Sequence, residues 1–354
     1  MTQQDRKVKA FVKLGEFLAQ FCEFINTSPP SEAIHSKWHK RFDDGLRLAH
    51  LHNGWFTTEN ILYAFSQWAD LLNEKNLINW LSGYDLDKNI KKTVALIMAG
   101  NIPLVGFHDL LVVLITGNKA LVKMSSNDRI LMPLLANYLE KTEPLLKGSV
   151  EFTEGKLTNF DAVIATGSNN TARYFEYYFG QRPNIIRKNR NSVAVLTGNE
   201  NENELKALGE DVFRYYGLGC RSVSKVFVPK DYNFDAFFNA IFPFSEIVQQ
   251  AKYANNYDYN KAVYLMSEFK ILDNGFLILK EDNSYASPIA SLFYERYESE
   301  ESLKERLRND KEHIQCIVAS GFVPEEVNFG KTQCPSLSDY ADGLDTVEFL
   351  LGTS

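Results

Sequence analysis

Apolar residues recur every three or four positions between Asp5 and Asn26: Val8, Phe11, Val12, Phe17, Leu18, Phe21, Cys22 and Ile25. That spacing gathers them on one face of a helix, which Thr27-Ser28-Pro29-Pro30 brings to an end. Helical periodicity resumes over residues 32–47 and 59–72, so the first quarter of the chain reads as a helical layer. At Thr93 the texture changes. Residues 93–98 form a continuous apolar run of strand length, 104–116 a helix, 121–124 a strand and 128–140 a helix. Strands at 162–165 and 193–196 enclose a helix over 171–179. Strands that alternate with helices predict a parallel sheet with helices on its faces. A charged helical pattern over 204–216 then ends at Gly217, and a β-branched strand begins at Lys225. Beyond it the pattern gives helices at 233–250 and 300–308, strands at 276–279, 291–294 and 314–318, and a closing apolar strand over 345–351.

The run from Val94 to Gly117 is long and apolar enough to span a bilayer. Asn101, Pro103, His108 and Asp109 fall inside it, so it predicts a buried strand, a turn and a buried helix instead, and no integral membrane protein is expected. Lys13 and Glu16 interrupt the first apolar stretch, and no signal peptide is read there. With 45% hydrophobic and 23% charged residues, the 354-residue chain has the make-up of a globular protein with room for two domains. A formal net charge of −7 leaves no basic surplus to neutralise phosphates, which argues against nucleic acid as a partner. Cys22, Cys220, Cys316 and Cys334 lie far apart without metal-ligand spacing, which predicts reduced thiols in the cytoplasm rather than a disulfide framework. His35 and His39 are four apart, and His50 and His52 flank Leu51. No glutamate follows His35 as in a zinc-protease helix, so core or surface histidines are the expectation and no metal site is assigned.

Ligands on parallel sheets bind at the carboxyl ends of the strands, and three of these ends are unusual. Ala99-Gly100-Asn101-Ile102-Pro103 follows a strand, where the Asn101 amide is either a turn or cap group or a donor to a developing oxyanion. Thr116-Gly117-Asn118-Lys119-Ala120-Leu121-Val122-Lys123-Met124-Ser125-Ser126 sets Lys123 at the end of a strand, within reach of a ribose or phosphate. Ala165-Thr166-Gly167-Ser168-Asn169-Asn170-Thr171 is a strand, a polar glycine turn and a helix start whose first amides attract phosphate. No GxGxxG is present.

Cys220 sits in the turn between the 204–216 helix and the strand at Lys225, within Gly217-Leu218-Gly219-Cys220-Arg221-Ser222. It is either one more small buried hydrophobe or a presented nucleophile, with Gly217 and Gly219 letting a ligand approach the main chain and Arg221 favouring the thiolate.

The order of these signals resembles the aldehyde dehydrogenase superfamily, in which a Trp-Asn-x-Pro turn, an Ala-Gly-Asn-x-Val-(Val/Leu)-x-Lys strand, a Thr-Gly-Ser turn and a Gly-Gln-x-Cys nucleophile follow one another. The intervals are comparable, 22 residues from Asn101 to Lys123 and 119 from Asn101 to Cys220. Within that superfamily, Gly100-Asn101-Ile102-Pro103-Leu104-Val105-Gly106-Phe107-His108-Asp109 and Arg190-Asn191-Ser192-Val193-Ala194-Val195 are similar to the acyl-CoA reductases typified by the reductase subunit of the bacterial bioluminescence fatty acid reductase complex. The resemblance covers about residues 90–325 and implies an α/β chain: a helical N-terminal layer with a Rossmann-type cofactor domain over 1–193, and an α/β catalytic domain over 194–325. The segment 326–354 is read either as returning to the cofactor domain or as a subunit-bridging edge.

The resemblance implies Cys220 and Asn101 as catalytic residues, and Lys123, Ser125, Ser126, Thr166, Gly167 and Ser168 as cofactor-binding residues. Two departures from the wider family shape the chemistry. Its water-activating glutamate lies in Glu-Leu-Gly-Gly-Lys-Ser, where this chain has Arg187-Lys188-Asn189-Arg190-Asn191-Ser192, with Arg187 33 residues before the cysteine. A thioester without a neighbouring base lasts long enough to accept a hydride. Many NAD-dependent members carry Glu three residues after the lysine. Ser126 stands there instead, which favours NADPH over NADH, because a carboxylate would repel a 2′-phosphate.

The implied activity is NADPH-dependent reduction of a fatty acyl-CoA to the aldehyde through an acyl-cysteine. The alternatives are an NAD(P)-dependent aldehyde dehydrogenase working oxidatively, or a non-redox acyl-cysteine transferase. His108 beside Asp109 invites an acid/base reading or a simple anchoring one. The family's ribose-contacting Glu-x-Phe-Gly-Pro motif has no clear counterpart near Ser287-Pro288. An acyl-protein synthetase and a second copy of the chain are the implied protein partners.

Overall fold

The apolar run that imitates a membrane span is, in a computed structural model describing residues 2–27 and 37–352, a buried strand, a turn and a buried helix. Among the described residues no helix is long and apolar enough to cross a membrane. The chain divides into two units, Met1–Lys188 with Ser336–Ser354, and Asn189–Pro335.

Among the described residues the first unit begins with four helices: α1 (Gln3–Asn26), α2 (Lys37–His52), α3 (Thr58–Leu71) and α4 (Glu74–Leu81). Thr2 and Asp5 close a capping box on α1, satisfying N–H groups that a helix start otherwise leaves unpaired. Val8, Phe11, Phe17, Leu18, Phe21 and Cys22 are buried as their spacing requires. His39 lies in the resulting aromatic cluster, its ring 5.3 Å from Phe17 and 5.1 Å from Phe24. His35 and the rest of 28–36, including Ser28-Pro29-Pro30 and the expected start of the second helix, lie outside the described residues.

Five strands follow: β1 (Thr93–Ile97), β2 (Lys119–Lys123), β3 (Val150–Phe152), β4 (Ala162–Thr166) and β5 (Asn184–Arg187). All pair in parallel, in the order β3-β2-β1-β4-β5. Helices α5 (Phe107–Ile115), α6 (Leu131–Thr142) and α7 (Asn169–Phe179) make the crossovers. The four N-terminal helices, α5, α6, β1 and β2 contribute to one continuous apolar core.

The closing segment corrects an expectation, because Thr346–Gly352 is a helix, not a strand. A short apolar run fits either state, and local bonding decides it. Asp345 accepts the Glu348 N–H at 2.9 Å at the start, Val347 and Leu350 turn inward against α5, and the buried Lys92 donates to Leu350 O at 3.0 Å at the end, where a cation is favoured.

The second unit is built on a six-stranded sheet of β6 (Asn191–Val195), β7 (Val223–Pro229), β8 (Ile271–Asp273), β9 (Ile278–Glu281), β10 (Ser291–Tyr297) and β11 (Ile314–Val318). Its order is β11-β6-β7-β10-β9-β8, parallel except for the β8–β9 pair. Alternate residues serve separate cores. Ala194, Val226 and Leu292 join Leu205, Leu208 and Phe237 from α8 (Glu202–Phe213) and α9 (Asp235–Ile241). Val193, Val195 and Phe227 pack with Leu303 and Leu307 of a later helix. The expected helix over 233–250 is α9 followed by 3₁₀ turns, and then α10 (Ala251–Met266) and α11 (Glu300–Asn309).

Candidate active site

In the first unit the chain moves outward from β1 to β2 and β3, then returns to place β4 and β5 on the other side of β1. The crevice beyond the carboxyl ends of β1 and β4 is therefore a topological switch point, where such sheets take ligands. Asn101 lies, half-buried, in the bend after β1. A Cβ on Gly100 would fall 2.6 Å from Ser125 Cβ, so only glycine lets the loops after β1 and β2 touch.

Lys123 ends β2 half-buried, its Nζ donating to Gly155 O at 3.2 Å. Ser125 Oγ accepts the Asn127 N–H at 3.2 Å, and exposed Ser126 offers its carbonyl to His52 Nε2 at 2.6 Å. Thr166 ends β4, and Ser168 caps α7 by accepting the Thr171 N–H at 3.3 Å. Asn101, Lys123, Ser125, Ser126, Thr166, Gly167 and Ser168 thus occupy the loops at one edge of one sheet. The glycine-narrowed loop contact, a cation, four hydroxyl side chains and the first amides of α7 fit a phosphate-bearing dinucleotide in type.

Arg187 ends β5 beside Thr166 in register. It is buried and makes a two-pronged pair with Asp109, Nη1 to Oδ2 at 2.6 Å and Nη2 to Oδ1 at 2.9 Å, with Nη2 also 3.3 Å from Thr346 Oγ1. Where the superfamily resemblance leads one to expect a base, this unit holds a neutralised ion pair tying β5, α5 and the C-terminal helix. His108 is likewise an anchor. Burial pushes its pKa down, although Asp109 and the bond to Leu337 pull the other way, and its Nε2 donates to Leu337 O at 2.9 Å.

In the second unit Cys220 is exposed, in the turn before β7. The approach to it is strained: Tyr215, Tyr216 and Gly217 have φ of 54°, 59° and 74° in succession. Glycine accepts this freely, whereas each tyrosine costs of order 1–3 kcal/mol that its surroundings must offset. Tyr215 is buried, and the Tyr216 ring lies 6.2 Å from that of Tyr253. Ser192 Oγ donates to Cys220 O at 3.0 Å and the Ser222 N–H to Gly219 O at 3.0 Å. Arg221 is anchored through Nε to the carbonyl of Thr332, which fixes the turn to the 330–334 segment. A hollow of about 460 Å³ lined by Thr197, Tyr232 and Asn233 sits at the far ends of β6 and β7 from the thiol.

Sequence reasoning passed over Asp128 and Asp211. Both are buried carboxylates whose pKa burial pushes up against the pull of backbone N–H donors. A single aspartate in a turn or a charged helix carries no signal of burial, and the donors to Asp211 come from residues 330 and 332.

Residues 90–237 match the family described as acyl-CoA reductase (LuxC). No curated protein matches the chain. Among solved structures it is similar to the NAD+ complex of an aldehyde dehydrogenase from Bacillus cereus, with TM-score 0.61 and 13% identity over 90% of this chain and 72% of that one. An aldehyde dehydrogenase from Physcomitrella patens, in complex with the reaction product succinate, gives TM-score 0.64 and 11% identity over 99% and 87%. The delta-pyrroline-5-carboxylate dehydrogenase of Mycobacterium tuberculosis gives 0.61 and 14% over 90% and 67%. At these identities the likeness is one of fold.

Proposed function

We propose, from the match of residues 90–237 to the LuxC acyl-CoA reductases and from the aldehyde dehydrogenase-like fold, that the chain reduces a fatty acyl-CoA to the aldehyde with NADPH. The observation that carries this reading is the exposed Cys220 at the end of a strained turn. Its thiolate attacks the thioester carbonyl, the side-chain amide of Asn101 and the main-chain N–H of Cys220 stabilise the oxyanion, and coenzyme A leaves as its thiol. The acyl group then rests on Cys220 as a thioester. Lys123, Ser125, Ser126 and the Thr166-Gly167-Ser168 turn would hold NADPH, which would supply the hydride. The thiohemiacetal on Cys220 collapses to aldehyde and returns the thiolate.

Two further features support this reading, one for the direction of the reaction and one for the cofactor. With Arg187 committed to Asp109, the position that would otherwise carry a water-activating carboxylate offers no proton acceptor. Ser126, three residues after Lys123, is exposed and uncharged, which suits a 2′-phosphate. Mixing the protein with a series of acyl-CoA lengths and NADPH should consume the nucleotide and release aldehyde in equal amounts, with one length preferred. Rapid oxidation of aldehyde with NADP in the absence of coenzyme A would favour the dehydrogenase alternative, and acyl transfer to an added thiol without loss of NADPH absorbance the transferase.

A further inference from the structure

Asp211, on α8, is 1% exposed and has no part in the chemistry described above. One of its carboxylate oxygens accepts the Gly330 N–H at 2.6 Å and the other the Thr332 N–H at 2.9 Å. Thr332 is itself fully buried, and its carbonyl takes the Nε–H of Arg221, the residue after the thiol. Backbone links Asp211 to Arg221 through nine residues that include Tyr215, Tyr216, Gly217 and Cys220. A ring therefore closes, from Asp211 along the strained turn to Arg221, across to Thr332 and back to Asp211.

We infer that Asp211 is a positioning residue for the Cys220 thiol, an assignment that rests on Cys220 being the nucleophile. Two converging N–H groups require two acceptors. A carboxylate supplies both, whereas an amide offers one acceptor and turns its NH₂ toward the second N–H. Bonds to a charged acceptor are also the stronger kind. Ser192 Oγ on Cys220 O and Gln333 Nε2 on Ser222 Oγ, at 3.4 Å, hold the turn at other points, so opening the ring loosens the turn without dissolving it. Loosening falls on the chemical step, since misplacing a reacting group by an ångström costs about 10²-fold in rate, while contacts that bind the rest of the substrate are kept.

The test uses the full chain with Asp211→Asn, Arg221→Met as a cut at the opposite point of the ring, the two together, and Arg221→Lys, which keeps a donor. Acylation by a long-chain acyl-CoA is followed by quenched intact mass alongside steady-state turnover. Each cut should slow acylation about tenfold or more with KM within about twofold. The double variant should be no slower than the worse single one, because both open the same ring, and Arg221→Lys should recover part of the rate.

A merely structural role would lower the melting temperature and leave the acylation rate of folded protein unchanged, whereas rate losses that multiply in the double variant would show two independent effects rather than one ring. Any of these rate results overturns the inference. Should Cys220→Ala still take up the acyl group, the nucleophile assignment fails and the inference with it. If Cys220→Ala is inert while Asp211→Asn acylates like the native protein, only the inference fails.

Discussion

At the residue scale Asn101 and Ser126 have separate tasks in the proposed reaction, and each can be changed singly. Asn101→Ala should lower kcat by about 10²–10³-fold with KM for acyl-CoA little changed, as when one oxyanion donor is lost. Steady-state kinetics read both parameters. Ser126→Glu, at an exposed position where a carboxylate does not disturb folding, should raise the KM for NADPH well above that for NADH by placing a charge against the 2′-phosphate. An unchanged ratio of the two would move cofactor selection elsewhere. Asn101 and Lys123 are candidates that the sequence offers through glycine, proline and strand context. Cys220 is legible as a turn residue, but its exposure and the left-handed Tyr215 and Tyr216 are not, because no sequence rule expects two adjacent tyrosines in that region.

Elements were most legible where the pattern is long. The periodic stretch of α1 and the alternation of β1, α5, β2 and α6 could be read to within a few residues. The short β3 and β5 escaped because Val150-Glu151-Phe152 and Asn184-Ile185-Ile186-Arg187 carry too few apolar residues to show a period. The C-terminal apolar run reads as a strand yet folds as a helix, since what fixes it is Lys92 and Asp345 rather than the run itself. Its attachment gives a prediction. Arg187→Met leaves Asp109 buried without its partner and should cost about 3–5 kcal/mol, whereas Arg187→Met with Asp109→Leu should restore most of it. Urea denaturation of the single and double variants measures this, and equal losses in both would show that Arg187 matters through packing alone.

For the whole molecule, the second unit carries carboxylates that link its stability to pH. Burial alone would raise Asp282, but the hydrogen bonds from Lys280 and from Ser284 outweigh it and hold the group down to about 2. Glu295 is lowered in the same way by Lys225 and Arg306. A carboxyl depressed in the folded state contributes stability that is full above its unfolded pKa near 4 and lost as the pH falls through the folded value. The urea midpoints of the native protein and Asp282→Asn should therefore differ at pH 6 and converge between about pH 4 and about pH 2. A constant difference would remove Asp282 from the acid response.

Above this stands the claim that Cys220 carries the acyl group, which intact-mass spectrometry tests most directly. Protein mixed with acyl-CoA in the absence of NADPH should gain the mass of one acyl group on the peptide containing Cys220, lose it when NADPH is added, and gain nothing as Cys220→Ala. An adduct that persists on Cys220→Ala, or that NADPH leaves in place on the native protein, would contradict the account.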